Sequence, residues 1–214
     1  NNVETLCVVP YIVNEGAEKY AALGTEKSKG TKLVSVSGHV KKPGNYEVVL
    51  GTPTREIIYD LAGGIRDGNK LKAFIPGGSS TPMLPADKVD VGYDYEAIAE
   101  AGSMLGSGAL IVIDDSVNIV ETTLRLISFY MHESCGKCTP CREGTRWLYQ
   151  IVERIMQNKG QLEYIDKLED ICGNMAMKTF CPLADACVSP VVSSIKHFRS
   201  DYEEYFKKIP VSSV

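Results

Sequence analysis

Residues 133–145 read Glu133-Ser134-Cys135-Gly136-Lys137-Cys138-Thr139-Pro140-Cys141-Arg142-Glu143-Gly144-Thr145. Three cysteines fall within seven residues, each separated from the next by two others. Thiols this close do not readily bridge one another, because a disulfide needs roughly 5.5 Å between Cα atoms in a particular orientation. All three point inward, however, if the backbone wraps around a compact object. Three more cysteines, Cys172, Cys181 and Cys187, stand downstream.

The C-x2-C-x2-C step is the one with which ferredoxin-type loops present three thiolates to a [4Fe–4S] cubane, and the fourth thiolate often comes from far along the chain. Cys181 is followed by Pro182. A Cys-Pro pair also closes ferredoxin runs, where proline ends the local chain direction and lacks an N–H. Cys172 falls in register with Leu162, Ile165 and Leu168 and reads as a small buried hydrophobe. Cys187 opens the next helical pattern and is the alternative fourth ligand. The expected set is Cys135, Cys138, Cys141 and Cys181.

Structural zinc is the competing metal. It usually takes cysteines as separate C-x2-C pairs with a long spacer between them. Here the middle cysteine would belong to two pairs at once, and no second pair follows. That spacing favours the cubane. A zinc-stabilised interaction module without redox chemistry is the alternative of a different class.

The flanks suit an electronegative guest. The spacing of Trp147, Leu148, Ile151, Val152, Ile155 and Met156 predicts a helix over 142–156 with one apolar stripe. Its N-terminal N–H groups and positive dipole end then face the cluster. Lys137 and Arg142 add formal positive charge to a site whose four thiolates bring negative charge.

The chain has 214 residues, 44% hydrophobic and 23% charged, which suits a soluble globular protein of one or two domains. No apolar run approaches the roughly 20 residues of a membrane span, and no signal peptide is expected. Seven cysteines, mostly clustered, argue for a reducing compartment and a metal site rather than a disulfide framework. The net charge of −4 gives no reason to expect nucleic acid. The opening Asn1-Asn2-Val3-Glu4-Thr5, without methionine, is expected to belong to a fragment of a longer protein.

Ahead of the cysteines the pattern is mixed. Residues 3–20 read as helical with an interruption at Val9-Pro10, and 26–31 as a polar linker. Alternation over 32–37, the Pro43-Gly44 turn and the run 46–50 predict a hairpin. Thr52-Pro53 predicts a helix start, with Ile57, Ile58 and Leu61 facing inward and Gly63-Gly64 as the stop. Strands are expected over 72–75 and 109–113, and the acidic stretch 87–100 reads as a solvated loop or short helix. The glycine-rich 102–108 precedes a strand, whereas a dinucleotide fingerprint follows one, so it reads as tight turns.

From Asp115 onward the pattern is helical. Ser116 is the expected cap of a helix with Val120, Leu124, Ile127 and Met131 on one stripe. Helices follow over 142–156 and 162–172, and a last one turns Val188, Val191, Val192, Ile195 and Phe198 inward, extended by Tyr202, Tyr205 and Phe206. The architecture expected is α+β: a β-grasp domain over 31–113, then an all-α four-helix cluster domain over 114–214, with 1–30 as a preceding domain's end and linker. His132 reads as a proton gate, a cluster-tuning group or a structural histidine. His39 and His197 have no partner constellation, and no nucleophile–base pair is evident.

With the loop and Cys181 in place, the sequence from His132 to Gly144 resembles the cluster loop of the NADH-binding flavoprotein subunits of respiratory complex I. Related subunits of NAD-linked hydrogenases and formate dehydrogenases share it. The resemblance extends over Asn1-Asn2-Val3-Glu4-Thr5, Val36-Ser37-Gly38-His39-Val40, Gly106-Ser107-Gly108 and Thr179-Phe180-Cys181-Pro182-Leu183. It implies a soluble-ligand-binding type β-grasp domain, then the [4Fe–4S] domain, with the family's larger FMN and NADH domain absent.

The resemblance also implies a function. The parent would be an NADH:quinone oxidoreductase subunit, and this part would relay single electrons from NADH-reduced FMN through the cluster towards quinone. NADH oxidation would belong to the parent. Asn1 and Asn2 match an asparagine pair lining the flavin pocket, and Leu183 is placed on the flavin side as well. The implied partners are a thioredoxin-like [2Fe–2S] subunit, a multi-cluster iron–sulfur subunit and the chain's own flavin domain. The implied location is cytoplasmic, peripheral on the inner face of the cell membrane, or the matrix side in a mitochondrion. Ala184 stands where the family usually has glycine, and Cys187 where it often has a small residue other than cysteine. A diaphorase subunit of an NAD-linked hydrogenase or formate dehydrogenase is the alternative within the redox class; the absence of a further cluster motif after Phe206 favours the complex I form.

Overall fold

The strand β1 (Thr31–Gly38) turns Val34 and Val36 into a core and leaves Leu33 half exposed, as its alternation predicts. It pairs antiparallel with β2 (Gly44–Val49), with Val34 opposite Tyr46 and Lys32 opposite Val48. The Tyr46 hydroxyl donates to the Lys42 carbonyl at 2.6 Å and closes the hairpin loop. The computed structural model describes residues 1–207, which form two units: one of residues 1–78 and 84–114, the other of Ser79–Met83 and the chain from Asp115 onward.

In the first unit β3 (Leu71–Ile75), β4 (Leu84–Pro85) and β5 (Ala109–Asp114) complete a five-stranded sheet of order β2-β1-β5-β3-β4. The last strand in sequence is central. It runs parallel to β1, with Val36 beside Leu110, and antiparallel to β3, with Phe74 beside Val112. A hairpin, a crossing helix and a final strand inserted beside the first make this a β-grasp fold. Phe74, Leu84, Tyr93, Ile98, Leu105 and Leu110 fill its core, each at most 1% exposed. Full burial of an aliphatic or aromatic side chain of this kind contributes about 1.5–3 kcal/mol.

The crossing helix departs from the expected face. The short α3 (Thr54–Glu56) runs into a π-helical turn over Ile57–Leu61, in which Ala62 N–H bonds the Ile57 carbonyl at 3.0 Å, five residues back. Ile57 and Ile58 are buried as expected, but Leu61 is 40% exposed. The wider turn carries Ala62 rather than Leu61 to the position facing the sheet. Thr52 does not cap this helix. Its start is held by Thr54, whose hydroxyl donates to the Val91 carbonyl at 2.9 Å.

Residues 3–15 form one helix, α1 (Val3–Glu15), which continues through Pro10. The break falls at Gly16 (φ 92°), before α2 (Ala17–Ala21). No residue of α1 is buried. The helix is tied to β1 through Glu4, which accepts from Leu33 N–H at 2.7 Å and pairs with Lys32. Between α1 and β1 runs a cleft of about 660 Å³, with Val3, Cys7, Tyr11, Tyr20 and Leu33 among its walls. The acidic stretch holds α4 (Tyr95–Glu100), capped by the Asp94 carboxylate on Ala97 N–H at 2.8 Å.

His39, expected to lack a constellation, has one. Its Nδ1 lies 2.7 Å from the fully buried Asp114 carboxylate, whose other oxygen accepts from Asn69 Nδ2 at 3.0 Å.

The second unit contains α5 (Ile119–Glu133), α6 (Thr139–Met156), α7 (Glu163–Met175) and α8 (Leu183–Lys207). Val120, Ile127, Leu148, Val152, Ile155, Ile165, Leu168, Val191, Ile195 and Tyr202 meet in one core. The cap of α5 is Asn118 rather than Ser116; its side-chain oxygen accepts from Val120 N–H at 2.8 Å. On α6 the stripe excludes Trp147, which is 52% exposed, while Leu148 is fully buried. On α8, Val192 is likewise 39% exposed, with Val191 fully buried beside it. Ser79 and Met83 join this unit through Ser79 Oγ to Tyr130 Oη at 2.8 Å and Met83 N–H to Ser193 Oγ at 3.0 Å. Residues 208–214, the end of the expected helical domain, lie outside the described residues.

Candidate metal centre

The three-cysteine loop joins α5 to α6. Helix α5 ends at Glu133, and the next residue, Ser134, turns extended (φ −64°, ψ 121°). Gly136 then takes φ +76°, a conformation that side-chain-bearing residues rarely adopt, and reverses the chain. Helix α6 begins three residues earlier than its apolar stripe suggests. Cys138 is its N-cap, and Pro140 lies in the first turn, where its missing N–H costs nothing. Cys141 is therefore already helical, and the positive end of an 18-residue helix lies at the loop.

The four thiols differ in exposure. Cys135 and Cys181 are exposed, Cys138 is half-buried and Cys141 is buried. Cys138 does not use its thiol to cap the helix. Its Sγ instead accepts from Phe180 N–H at 3.5 Å, which brings the segment leading to Cys181 against the loop from 42 residues away. The Lys137 ammonium lies 5.4 Å from the centre of the Phe180 ring and spans the same two segments. Cys141 Sγ lies 3.2 Å from Ser134 Oγ. Thr145 Oγ1 donates to the Cys141 carbonyl at 2.8 Å and steadies the first turn of α6.

Arg142 does more than add charge. Its Nη1 donates to the Gly136 carbonyl at 2.6 Å and pins the reversed loop, while its Nε pairs with Glu143 at 2.8 Å. Part of the cationic effect expected from Arg142 is thus met by a neighbouring carboxylate. Lys137 remains the cation held against the second segment. His132 is exposed in the last turn of α5.

These residues fit a four-iron cluster. The donors are all soft thiols, the loop is reversed by a glycine, and a backbone N–H is already directed at one sulfur. Among the described residues, no three Cys, His, Asp or Glu side chains converge closely enough for a single ion.

The two remaining downstream cysteines lie inside the helical core. Cys172 is 1% exposed on α7, and burial pushes its thiol up to about 12. Cys187, the alternative fourth ligand, is fully buried in the second turn of α8 rather than at its start. Burial first, and then the neighbouring Cys172 and Cys141, push its thiol well above the usual range. Both side chains pack in the helical core rather than on the exposed side where Cys135 and Cys181 lie.

The flavin-side expectations fall in both units. Asn2 caps α1, its side-chain oxygen accepting from Thr5 N–H at 3.0 Å, and Asn1 is exposed. Asn2 shares a cleft of about 510 Å³ with Lys29, Lys32, Gly106 and Ser107, so the first unit brings together two stretches that carry the family resemblance. The glycine turn there is structural: a Cβ added at Gly106 would lie 2.4 Å from the Gly77 carbonyl oxygen. Leu183 opens α8 in the second unit and is partly buried against the helical core.

Residues 121–205 match the profile of the NADH-ubiquinone oxidoreductase-F iron-sulfur binding region, and residues 32–112 match the SLBB domain. The F subunit of NADH-quinone oxidoreductase from Streptomyces coelicolor is 50% identical over 205 residues, covering 96% of this chain and 45% of the relative. The protein of the same name from Mycobacterium tuberculosis strain H37Rv is 52% identical over 202 residues, covering 94% of this chain and again 45% of the relative. Among solved structures, an NAD+-reducing [NiFe]-hydrogenase in the air-oxidised state superposes with a TM-score of 0.85 at 31% identity, over 99% of this chain and 36% of that one. The chain thus spans about half the length of the curated relatives it matches.

Proposed function

We infer that this chain, a relative of the F subunit of NADH-quinone oxidoreductase over nearly all its length, is the electron-relay portion of an NADH-oxidising flavoprotein subunit. Cys135, Cys138, Cys141 and Cys181 would hold one [4Fe–4S] cluster. The observation that carries this reading is the 3.5 Å contact from Phe180 N–H to Cys138 Sγ, which draws the Cys181 segment onto the three-cysteine loop. When bound, the cluster supplies uptake and release of one electron at a time, the chemistry needed beside a cofactor that accepts hydride.

The chain's own residues orient and insulate that site. Gly136 and Arg142 fix the loop's reversal, Cys138 caps α6 with its thiol turned to the Phe180 N–H, and Cys141 is buried in the helical core. Oxidation of NADH by FMN is proposed for the whole protein, with residues 1–30 as the end of its flavin domain, 31–113 as the β-grasp domain and 114–214 as the cluster domain. Asn1, Asn2 and Leu183 are proposed to face the flavin. Because the Asn2 carbonyl is occupied by its cap, its contact would run through the amide NH2.

Electrons would leave towards quinone through a thioredoxin-like [2Fe–2S] subunit and a multi-cluster iron–sulfur subunit. Among the described residues no helix is long and apolar enough to cross a membrane. Peripheral attachment to the inner face of the cell membrane, or the matrix side in a mitochondrion, would come through those partners. The superposition on an NAD+-reducing hydrogenase supports a second reading, a diaphorase subunit of such an enzyme.

Iron and zinc analysis with EPR, on protein purified and reduced without oxygen, tests the reading. About four irons per chain and the signal of one reduced cluster are expected, from the cysteine set above. One zinc and no iron after reconstitution would leave a zinc-braced docking module instead.

A further inference from the structure

Ser134 is the residue between the end of α5 and the first cysteine. Its Oγ makes two contacts: it accepts from Gly136 N–H at 3.4 Å and lies 3.2 Å from Cys141 Sγ. A hydroxyl has a single proton. With the Gly136 N–H taking one lone pair, that proton is free to point at sulfur. A ligating cysteine is a thiolate without a proton, so at the metal centre the bond has one possible direction, Ser134 O–H to Cys141 S⁻. Cys141 is the most buried of the four thiols, and in such surroundings a hydrogen bond to a charged acceptor is strengthened.

Hydrogen bonds to the sulfurs are among the terms that set an iron–sulfur potential. A donor stabilises the reduced cluster, which carries one more negative charge, more than the oxidised one. The Phe180 N–H on Cys138 is a backbone donor that nearly every residue type would supply. The Ser134 hydroxyl is a side-chain donor, and its orientation depends on the reversed loop at Gly136.

We propose that Ser134 is a positioning residue whose hydroxyl donates to the Cys141 thiolate and holds the cluster's reduction potential above the value the cysteines alone would give. The proposal rests on the reading of Cys135, Cys138, Cys141 and Cys181 as ligands.

The test is an EPR-monitored redox titration of the full chain, with iron analysis, on the wild type, Ser134→Ala and Ser134→Thr. All three should hold about four irons. Ser134→Ala should titrate more negative by a three- to tenfold change in the oxidised-to-reduced ratio, about 30 to 60 mV for one electron. Ser134→Thr, which keeps the hydroxyl, should stay close to the wild type. An unchanged potential in Ser134→Ala overturns the proposal, as does an equal shift in both variants. Loss of iron in Ser134→Ala alone also overturns it, making Ser134 an assembly residue. A wild type without iron would instead overturn the ligand reading.

Discussion

Asp201, near the end of α8, accepts a 2.8 Å hydrogen bond from the backbone N–H of Ile119, the first residue of α5. Asn118 adds to the same junction by donating from Nδ2 to the Asp201 carbonyl at 3.2 Å. The start of the first helix of the four is therefore capped by a carboxylate from the last, 82 residues away. Helix N-termini expose N–H groups that need such acceptors, and a carboxylate there also complements the helix dipole. Asp201→Ala should destabilise the helical unit by about 0.5–2 kcal/mol, the range for a lost cap, whereas Asp201→Asn should retain most of the effect. A urea unfolding midpoint that does not move in Asp201→Ala would count against this role.

The cysteines should separate cleanly by substitution. Cys181→Ala should abolish stable four-iron incorporation, because it removes an exposed thiol from the segment docked on Cys138. Cys172→Ala and Cys187→Ala should leave incorporation nearly intact, since both side chains are buried in the helical core. Iron content and EPR after anaerobic reconstitution decide this. Loss with Cys187→Ala and retention with Cys181→Ala would transfer the fourth ligand to Cys187.

Helix α6 offers a test of which face is inside. Leu148 is fully buried, and Leu148→Ala should cost about 2–5 kcal/mol through lost burial and the cavity left behind. Trp147, its neighbour, is 52% exposed, and Trp147→Ala should cost well under half as much. Denaturant unfolding of the two variants would reveal an inverted face if the tryptophan proved the more costly loss.

Acid should loosen α1 from β1. Burial raises the pKa of Glu4, but its hydrogen bond from Leu33 N–H and its pairing with Lys32 outweigh that and hold it below the ordinary value of 4.5. A carboxylate depressed on folding contributes stability that is fully present above its unfolded value and is lost as pH falls through its folded one. The wild type should melt above Glu4→Gln at pH 7, and the gap should narrow as the pH falls below the ordinary value of 4.5. A gap that stays constant on acidification would mean that the charge of Glu4 is not what tethers the helix.

Much of this arrangement is legible in the sequence because its signals are local. The alternation of Val34 and Val36 and the two-residue step between cysteines each specify geometry within a few residues, whereas Gly44, expected in the turn, already lies in β2 opposite Val36. The start of α6 is also written locally, in Pro140, which is at home in a first helical turn; the apolar stripe alone points three residues too late. Other features depend on residues that only the fold brings together. His39 and Asp114 are 75 positions apart and meet because β1 and β5 lie side by side. The π turn at Ile57 reflects the fit of a helix on a sheet, which no period of hydrophobicity encodes. Ser134 carries a faint signal, a hydroxyl beside the first cysteine, but its partner is the third.

The central place of β5 has a consequence for how the protein is made. As the chain leaves the ribosome, β1 gains β2 almost at once along one edge, yet its other edge stays open until residues 109–114 appear. β3, the strand on the other side of β5, precedes it in the chain. Pairings between distant parts of a chain form slowly, and unpaired edges invite the wrong neighbour in the meantime. Without residues 109–114 no strand joins β1 to β3. The unit's last strand in sequence is thus the one that joins its two halves, and the β1 edge is exposed to a wrong neighbour for as long as β5 is unpaired.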